Sequence, residues 1–316
     1  MKRKRKYCQV RWLLFISFFL GASAFWAQQI PQFSQWYWNL QAINPAHTGI
    51  KPCLEIKSLY RSQWAGLDGS PNSGFATFST PIYTERKKIF TPRQGVGFKM
   101  ETEKIGPFTM NRLNLMYAGH FNFTPDTRLS IGIAAGIRQW VFDKTKVSTL
   151  APDPAIPESN SFISPDASCG FWWNGKNYFV GLSFMELTSS KWTDIGDKSR
   201  FRFHTFLNGG YHIPINDQFT LLPFALLRIP PKGPASLDLN ALFDYKNRIT
   251  FGIGFRNTDA ILTSIKVRIN GNFTLAYSFD YTISDLARND FFSHEFSLGF
   301  GTCKDKSNSK TTCPLF

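Results

Sequence analysis

Past residue 27 the chain has no run of about 18 continuous apolar residues, so a membrane-crossing helix is excluded from that region. Charged residues are also scarce, at 18%, where an ordinary soluble domain carries about 25%. Catalytic and metal-binding signatures are missing too. The five histidines, His47, His120, His204, His212 and His294, are scattered without metal-ligand spacing. No CxxC and no G-x-S-x-G occurs. The glycines of "FGIGF" lie inside a strand-like run and not between a strand and a helix, so they do not form a phosphate loop. Asp153, Glu158 and Asp166 are acids of the kind loops hold routinely. The expectation is a protein with no catalytic residues, no cofactor and no metal. It also lacks an RNA- or DNA-binding signature, so no nucleic acid partner is expected.

Aromatic residues, by contrast, are abundant: they make up 16%, with 32 phenylalanines. High aromatic content, low charge and short apolar runs together favour strands over helices. The chain opens with five basic residues, Lys2 to Lys6, and an apolar core from Trp12 to Leu20, followed by small residues. This order reads as a secretory signal over 1–27, cleaved after Ala24 or Ala27. The core is too short to span a membrane, and Cys8 precedes it, where a lipoprotein cysteine would not lie. Removal at Ala27 takes Lys2–Lys6 and Arg11 but no acid, so the net charge of +14 drops by those six to +8. The densest basic cluster left is "ERKK" at 85–88.

The dominant pattern in the remaining chain has period two. In "GNFTLAYSFDYT", Phe273, Leu275, Tyr277, Phe279 and Tyr281 alternate with Asn272, Thr274, Ala276, Ser278 and Asp280. "RITFGIGFRN" and "SLDLNALFDY" alternate likewise. Successive strand side chains point to opposite faces, so each segment has one large apolar face and one small or polar face. About fourteen such segments can be counted, within a range of 12–16, most of them roughly 9–11 residues long, as a tilted membrane strand requires. The segments at 73–80 and 165–173 are the weaker ones. Connections alternate in length: "NFTPDT", "NGKN", "HIPIND", "YKN" and "ING" are short, whereas 139–164, 185–200 and 282–290 are long. The 81–94 connection is long on the short side. Short turns at one end and long loops at the other describe an all-β antiparallel outer-membrane barrel. A soluble β-sandwich would bury its apolar faces; here almost every strand pairs a large apolar face with a Gly/Ser/Thr face. Lipid offers no hydrogen bonds to strand edges, so the barrel must close. Arg202, Asp238, Asp244, Lys266, Arg268, Asp280 and Glu295 fall on the lumen phase. An even strand count puts both mature termini on the short-turn, periplasmic side.

The expected organisation is therefore a signal over 1–27, an N-terminal periplasmic or plug segment over 28–50, a barrel over 51–300 and a periplasmic tail over 301–316. Cys303 and Cys313 are separated by a flexible nine-residue spacer and are expected to be able to pair, at about 2–3 kcal/mol; the proximity of Cys53 and Cys169 is left open. Segment 28–50 has five glutamines, Trp36, Tyr37 and Trp38 in a row, and no acid. Pro31, Pro45 and Gly49 exclude a long helix there. Two readings stand: a contact surface for a partner, and a packed periplasmic plug that merely caps the lumen.

"PQFSQWYWNLQAINPAHTGI" followed by "YRSQWAGLDGSP" resembles the start of the PorP/SprF family of type IX secretion system membrane proteins. The matching positions are Pro31, Gln32, Phe33, Ser34 and Gln35, then Asn44, Pro45, Ala46 and Gly49, then Tyr60, Arg61, Gln63 and Trp64. "LNLMYAGHF", "LSIGIAAGI", "YFVGLSF", "LNGGYHI", "FGIGFRNTDA", "YSFDYTISDL" and "SHEFSLGF" follow in the family's order. His47 is a departure, since the family tends to have an aromatic there. The resemblance implies a barrel in the cell outer membrane, surrounded by its lipid, that works with other type IX secretion components. It implies help in the export or surface attachment of a secreted adhesin-like client with a C-terminal secretion domain, with a link to gliding motility in some members. Candidate partner-binding residues are Gln32, Phe33, Ser34, Gln35, Trp36, Tyr37, Trp38, Asn44, Pro45, Gly49, Arg61 and Trp64. The rival readings are a diffusion porin or small-molecule transporter, and a purely structural surface protein.

Overall fold

The computed structural model describes residues 30–82, 93–124, 126–147, 159–188, 203–257, 259–284 and 292–303. The expected signal, the 85–88 basic cluster, Asp153, Glu158, Arg202 and Cys313 lie outside them. The described residues contain fifteen strands: β1 Glu55–Ala65, β2 Asn72–Ile82, β3 Arg93–Ile105, β4 Phe108–Asn122, β5 Arg128–Phe142, β6 Asn160–Asn174, β7 Tyr178–Met185, β8 His204–Tyr211, β9 Ile213–Pro214, β10 Phe219–Ile229, β11 Ser236–Tyr245, β12 Ile249–Arg256, β13 Ala260–Ile269, β14 Phe273–Thr282 and β15 Phe292–Gly301. β9 is a two-residue continuation of the β8 stave along β10. The barrel therefore has fourteen antiparallel staves, closed by β10–β11 pairing and by β15–β1 pairing.

The period-two pattern maps onto the two faces of this wall. Leu115, Ile133, Ile163 and Leu298 point outward and are 68, 58, 61 and 59% exposed, which is the belt a bilayer covers. Phe123 with Trp173, Phe219 with Tyr245 and Phe273 with Phe300 are ring pairs at the short-turn end, where an aromatic girdle belongs. The opposite phase is buried: Asp238, Asp244, Lys266, Asp280 and Glu295 all face inward, as expected, and Arg268 is half-buried. Among the described residues no helix is long and apolar enough to cross a membrane, which says nothing against crossing by strands.

Three details differ from the sequence reading. The strands are longer around the 139–164 connection: β5 runs to Phe142 and β6 starts at Asn160, so Trp140 and Phe162 are a cross-strand pair and not loop residues. The inward phase of Arg138 continues through Trp140 and Phe142 before Asp143 turns the chain. The N-terminal segment lies inside the barrel and not in the periplasm beneath it. Finally, Cys303 is bonded to Cys53 and not to Cys313. Residues just before β1 and just after β15 become neighbours when Glu55 pairs with Gly301, which brings the two Cα atoms to 5.1 Å across 250 residues of sequence. Cys169 is free and half-buried on β6.

Candidate functional site: an occupied lumen

Residues 30–50 fill the barrel. The segment folds as three single-turn 3-10 helices, Trp36–Trp38, Leu40–Ala42 and Pro45–His47. Short turns of this kind suit a stretch broken by prolines. Pro45 opens the third turn where its missing N–H costs nothing, and the Asn44 side chain accepts from the Ala46 N–H at 2.9 Å. Gly49 has φ +62°, and a Cβ there would lie 2.6 Å from the Cα of Gly95. Gly132 makes room for the Pro45–Ala46 peptide in the same way: its Cβ would lie 2.3 Å from the Ala46 nitrogen. These glycines were invisible as site residues in the sequence, because a barrel's inward face is rich in small residues anyway.

The segment runs down the barrel from its long-loop half to its turn end. At the top, Ser34 and Gln35 donate their backbone N–H groups to the two Glu295 oxygens at 2.6 and 2.9 Å. Ser34 Oγ donates to Asp280 at 2.6 Å. Arg61 donates to Asp280 and Glu295, both at 2.6 Å, and to Ser34 Oγ at 3.1 Å. Arg256 reaches Ser34 Oγ at 3.1 Å and Asp238 at 3.0 Å. Arg228 grips Asp238 with both terminal nitrogens, at 2.8 and 2.9 Å, and its second nitrogen also touches the Phe33 carbonyl at 3.4 Å. Three guanidinium groups thus meet three carboxylates, all buried. Such a cluster is tolerable away from water because the charges balance and hydrogen bonds take up the lone pairs.

Lower down, Tyr37 meets Ser264 at 2.9 Å, Asn39 donates to Thr77 at 2.8 Å, and Asn44 donates to the carbonyls of Phe171 and Leu182 at 3.0 and 3.3 Å. Lys99 donates to the Ala42 carbonyl and pairs with Glu101. Glu101 also accepts from Arg112, and Arg112 and Arg138 both donate to Glu186. At the bottom, His120 contacts the Thr48 carbonyl at 2.9 Å, and Arg128 donates to the Ile50 carbonyl at 3.3 Å. Trp36, Tyr37 and Trp38 lock into rings and aliphatics from the opposite wall, including Trp172, Phe179, Phe206 and Phe224. Burial pushes the Tyr37 hydroxyl well above the ordinary tyrosine range. Burial likewise holds His47, edge-on to Trp172 at 5.1 Å, well below the ordinary histidine range.

The structure brings the sequence candidates together in one place. Phe33 to Trp38, Asn44, Pro45, Gly49 and Arg61 are buried in the lumen, and Gln32 is half-buried beside them. Trp64 stands apart at the long-loop rim, half-buried. It has φ +52° at the irregularity between Ser62 and Ala65, with its N–H donated to Ser293 Oγ at 3.0 Å. Residues 30–50 lie within the lumen itself, deeper than the periplasmic cap that one of the two readings expected. Asp280, Glu295, Arg256, Arg228 and Asp238 were missed as its partners. The available signal was that Asp280, Glu295 and Arg256 sit in "YSFDYT", "SHEFSLGF" and "FGIGFRN", all on the inward phase of their strands.

No curated protein matches the sequence. Among solved structures, the chain is similar to the Pseudomonas putida toluene transporter TodX, with a TM-score of 0.48, 9% identity, and 83% of this chain and 93% of that one covered. A FadL homologue from Pseudomonas aeruginosa gives 0.46 and 12% over 82 and 92%. The translocator domain of the autotransporter NalP from Neisseria meningitidis gives 0.44 and 11% over 85 and 95%. The sequence profile of the type IX secretion system membrane protein PorP/SprF matches residues 25–300, which contain the lumen segment, every strand but the last residue of β15, and the buried charge cluster; the chain belongs to that family.

Proposed function

We propose that this outer-membrane component of type IX secretion serves one secreted adhesin-like client, assisting its export or holding it at the cell surface, and that it does so without catalysis and without conducting solutes. The observation that carries this reading is the occupied lumen. A diffusion porin needs an open, charge-lined passage. Here Arg61, Arg228, Asp238, Asp280 and Glu295 are committed to each other and to Phe33, Ser34 and Gln35, and Arg128 to Ile50. What is left for a partner is the two ends of the barrel, with the turn end toward the periplasm and the other secretion components. The long-loop end then faces outward, where a client with a C-terminal secretion domain would be held. A link to gliding motility would follow if that client is a motility adhesin.

Deleting the gene tests the reading. The expected result is the loss of one adhesin-like protein from the surface, with small-solute uptake and other secreted proteins unchanged. The purified barrel in a planar bilayer is expected to show no steady conductance. A deletion strain with an intact set of surface proteins and reduced solute uptake would establish the porin instead.

A further inference from the structure

Ser34 and Gln35 are not distributed evenly over the wall. Apart from Arg256, their partners lie on three consecutive staves. Arg61 is on β1; Asp280 and Ser278 are on β14; Glu295 and Ser297 are on β15. Gln35 also donates to the Glu295 carbonyl at 3.1 Å. These staves flank the seam where the first strand meets the last. The rest of the segment bonds elsewhere: Tyr37 to β13, Asn39 and Gln41 to β2, Asn44 to β6 and β7. The opposite end of the same seam carries the Cys53–Cys303 bond.

We propose that Ser34 and Gln35 are a closure key: they draw the last strands onto the first, so that the barrel is built around its lumen segment and does not receive it after closing. Sequence distance favours this order. β1 and β15 are some 250 residues apart at the disulfide, and bringing such distant segments together is entropically slow. Ser34 and Arg61, in contrast, are only 27 residues apart, so the segment can dock on β1 early. Once docked, it presents two backbone N–H groups and two side chains that β14 and β15 satisfy. The Trp36–Trp38 turn also argues against later entry. Its three side chains, between 1 and 8% exposed, interlock with rings projecting from β6, β7, β8 and β10, and would have to pass the Arg61, Arg228 and Arg256 cluster or the turn-end mouth to arrive there.

The test is refolding of the full mature chain from urea into detergent micelles in a glutathione buffer. Samples are quenched with maleimide and read two ways, by mass mapping of the Cys53–Cys303 disulfide and by the folded band on an unheated gel. Ser34→Ala/Gln35→Ala is expected to slow both at least fivefold. Asn39→Ala, which removes a bond from the same segment to β2, is expected to stay within twofold of wild type. Wild-type closure rates in the double variant would overturn the proposal, because the segment would then be a late arrival. Equal slowing by Asn39→Ala would overturn it too, since mere filling of the lumen would then set the rate. If the double variant gives no folded band, Ser297→Ala decides: it removes one seam partner of Gln35 and leaves the others. Slower closure supports the key, and a wild-type rate refutes it.

Discussion

Replacing Arg61 with alanine leaves Asp280 and Glu295 facing each other in the lumen without their shared cation. Removing one partner of a buried ionic cluster costs about 3–5 kcal/mol, so urea unfolding of the detergent-folded Arg61→Ala barrel is expected to shift by that amount. Adding Glu295→Gln should recover part of the loss, because one of the two stranded charges disappears. Arg61 was legible as a family residue in "YRSQW", but its partners were not. Pairing a residue at 61 with residues at 280 and 295 requires knowing that the barrel closes and where. His47 makes a second case. Burial holds its imidazole neutral in the folded protein, whereas the unfolded chain takes up a proton below about pH 6.5. The unfolded state therefore binds more protons in acid. His47 thus costs nothing above about pH 6.5 and lowers stability as the pH falls below it, by at most about 1.4 kcal/mol per pH unit. His47→Phe is expected to flatten that acid limb in urea unfolding measured from pH 7 to pH 5, while leaving neutral stability within about 1.5 kcal/mol.

Strands were readable because period two is local: each needs only its own residues to show a face. The 3-10 turns of the lumen segment were not, since nothing in "QWYWNLQAINPAH" distinguishes a packed plug from a surface contact until the wall around it is known. The glycines of the wall supply that missing information. Gly95 and Gly132 let backbone approach backbone, as no side chain would. Gly132→Val should lift the Pro45 turn off β5 and cost about 1–3 kcal/mol through overpacking. Limited proteolysis is expected to cut within residues 44–50 in this variant and not in wild type. Strand length was read less well than strand existence. β4, β5 and β6 reach well beyond the expected span, and Trp140 opposite Phe162 holds the extension. Aromatic residues near a proline-rich stretch looked like loop furniture in the sequence.

Across the whole molecule, the disulfide belongs to the closed barrel and could not be read from spacing. Two cysteines with nine residues between them are the economical pair by spacing; barrel closure instead places Cys53 beside Cys303. Cys53→Ser or Cys303→Ser is expected to leave the barrel folded, because the β1–β15 ladder persists, and to lower its stability by about 2–5 kcal/mol in urea unfolding without reductant. The bond also sets a mechanical path. It joins the chain just before β1 to the chain just after β15, so every strand lies within one covalent ring and both tails leave from the same point on it. Tension applied between Cys53 and Cys303 themselves therefore passes through a single sulfur–sulfur link. No hairpin carries it. Stretched by its two ends in the oxidised state, the molecule should yield only the length of its tails, and reductant should release the ring to unzip strand by strand.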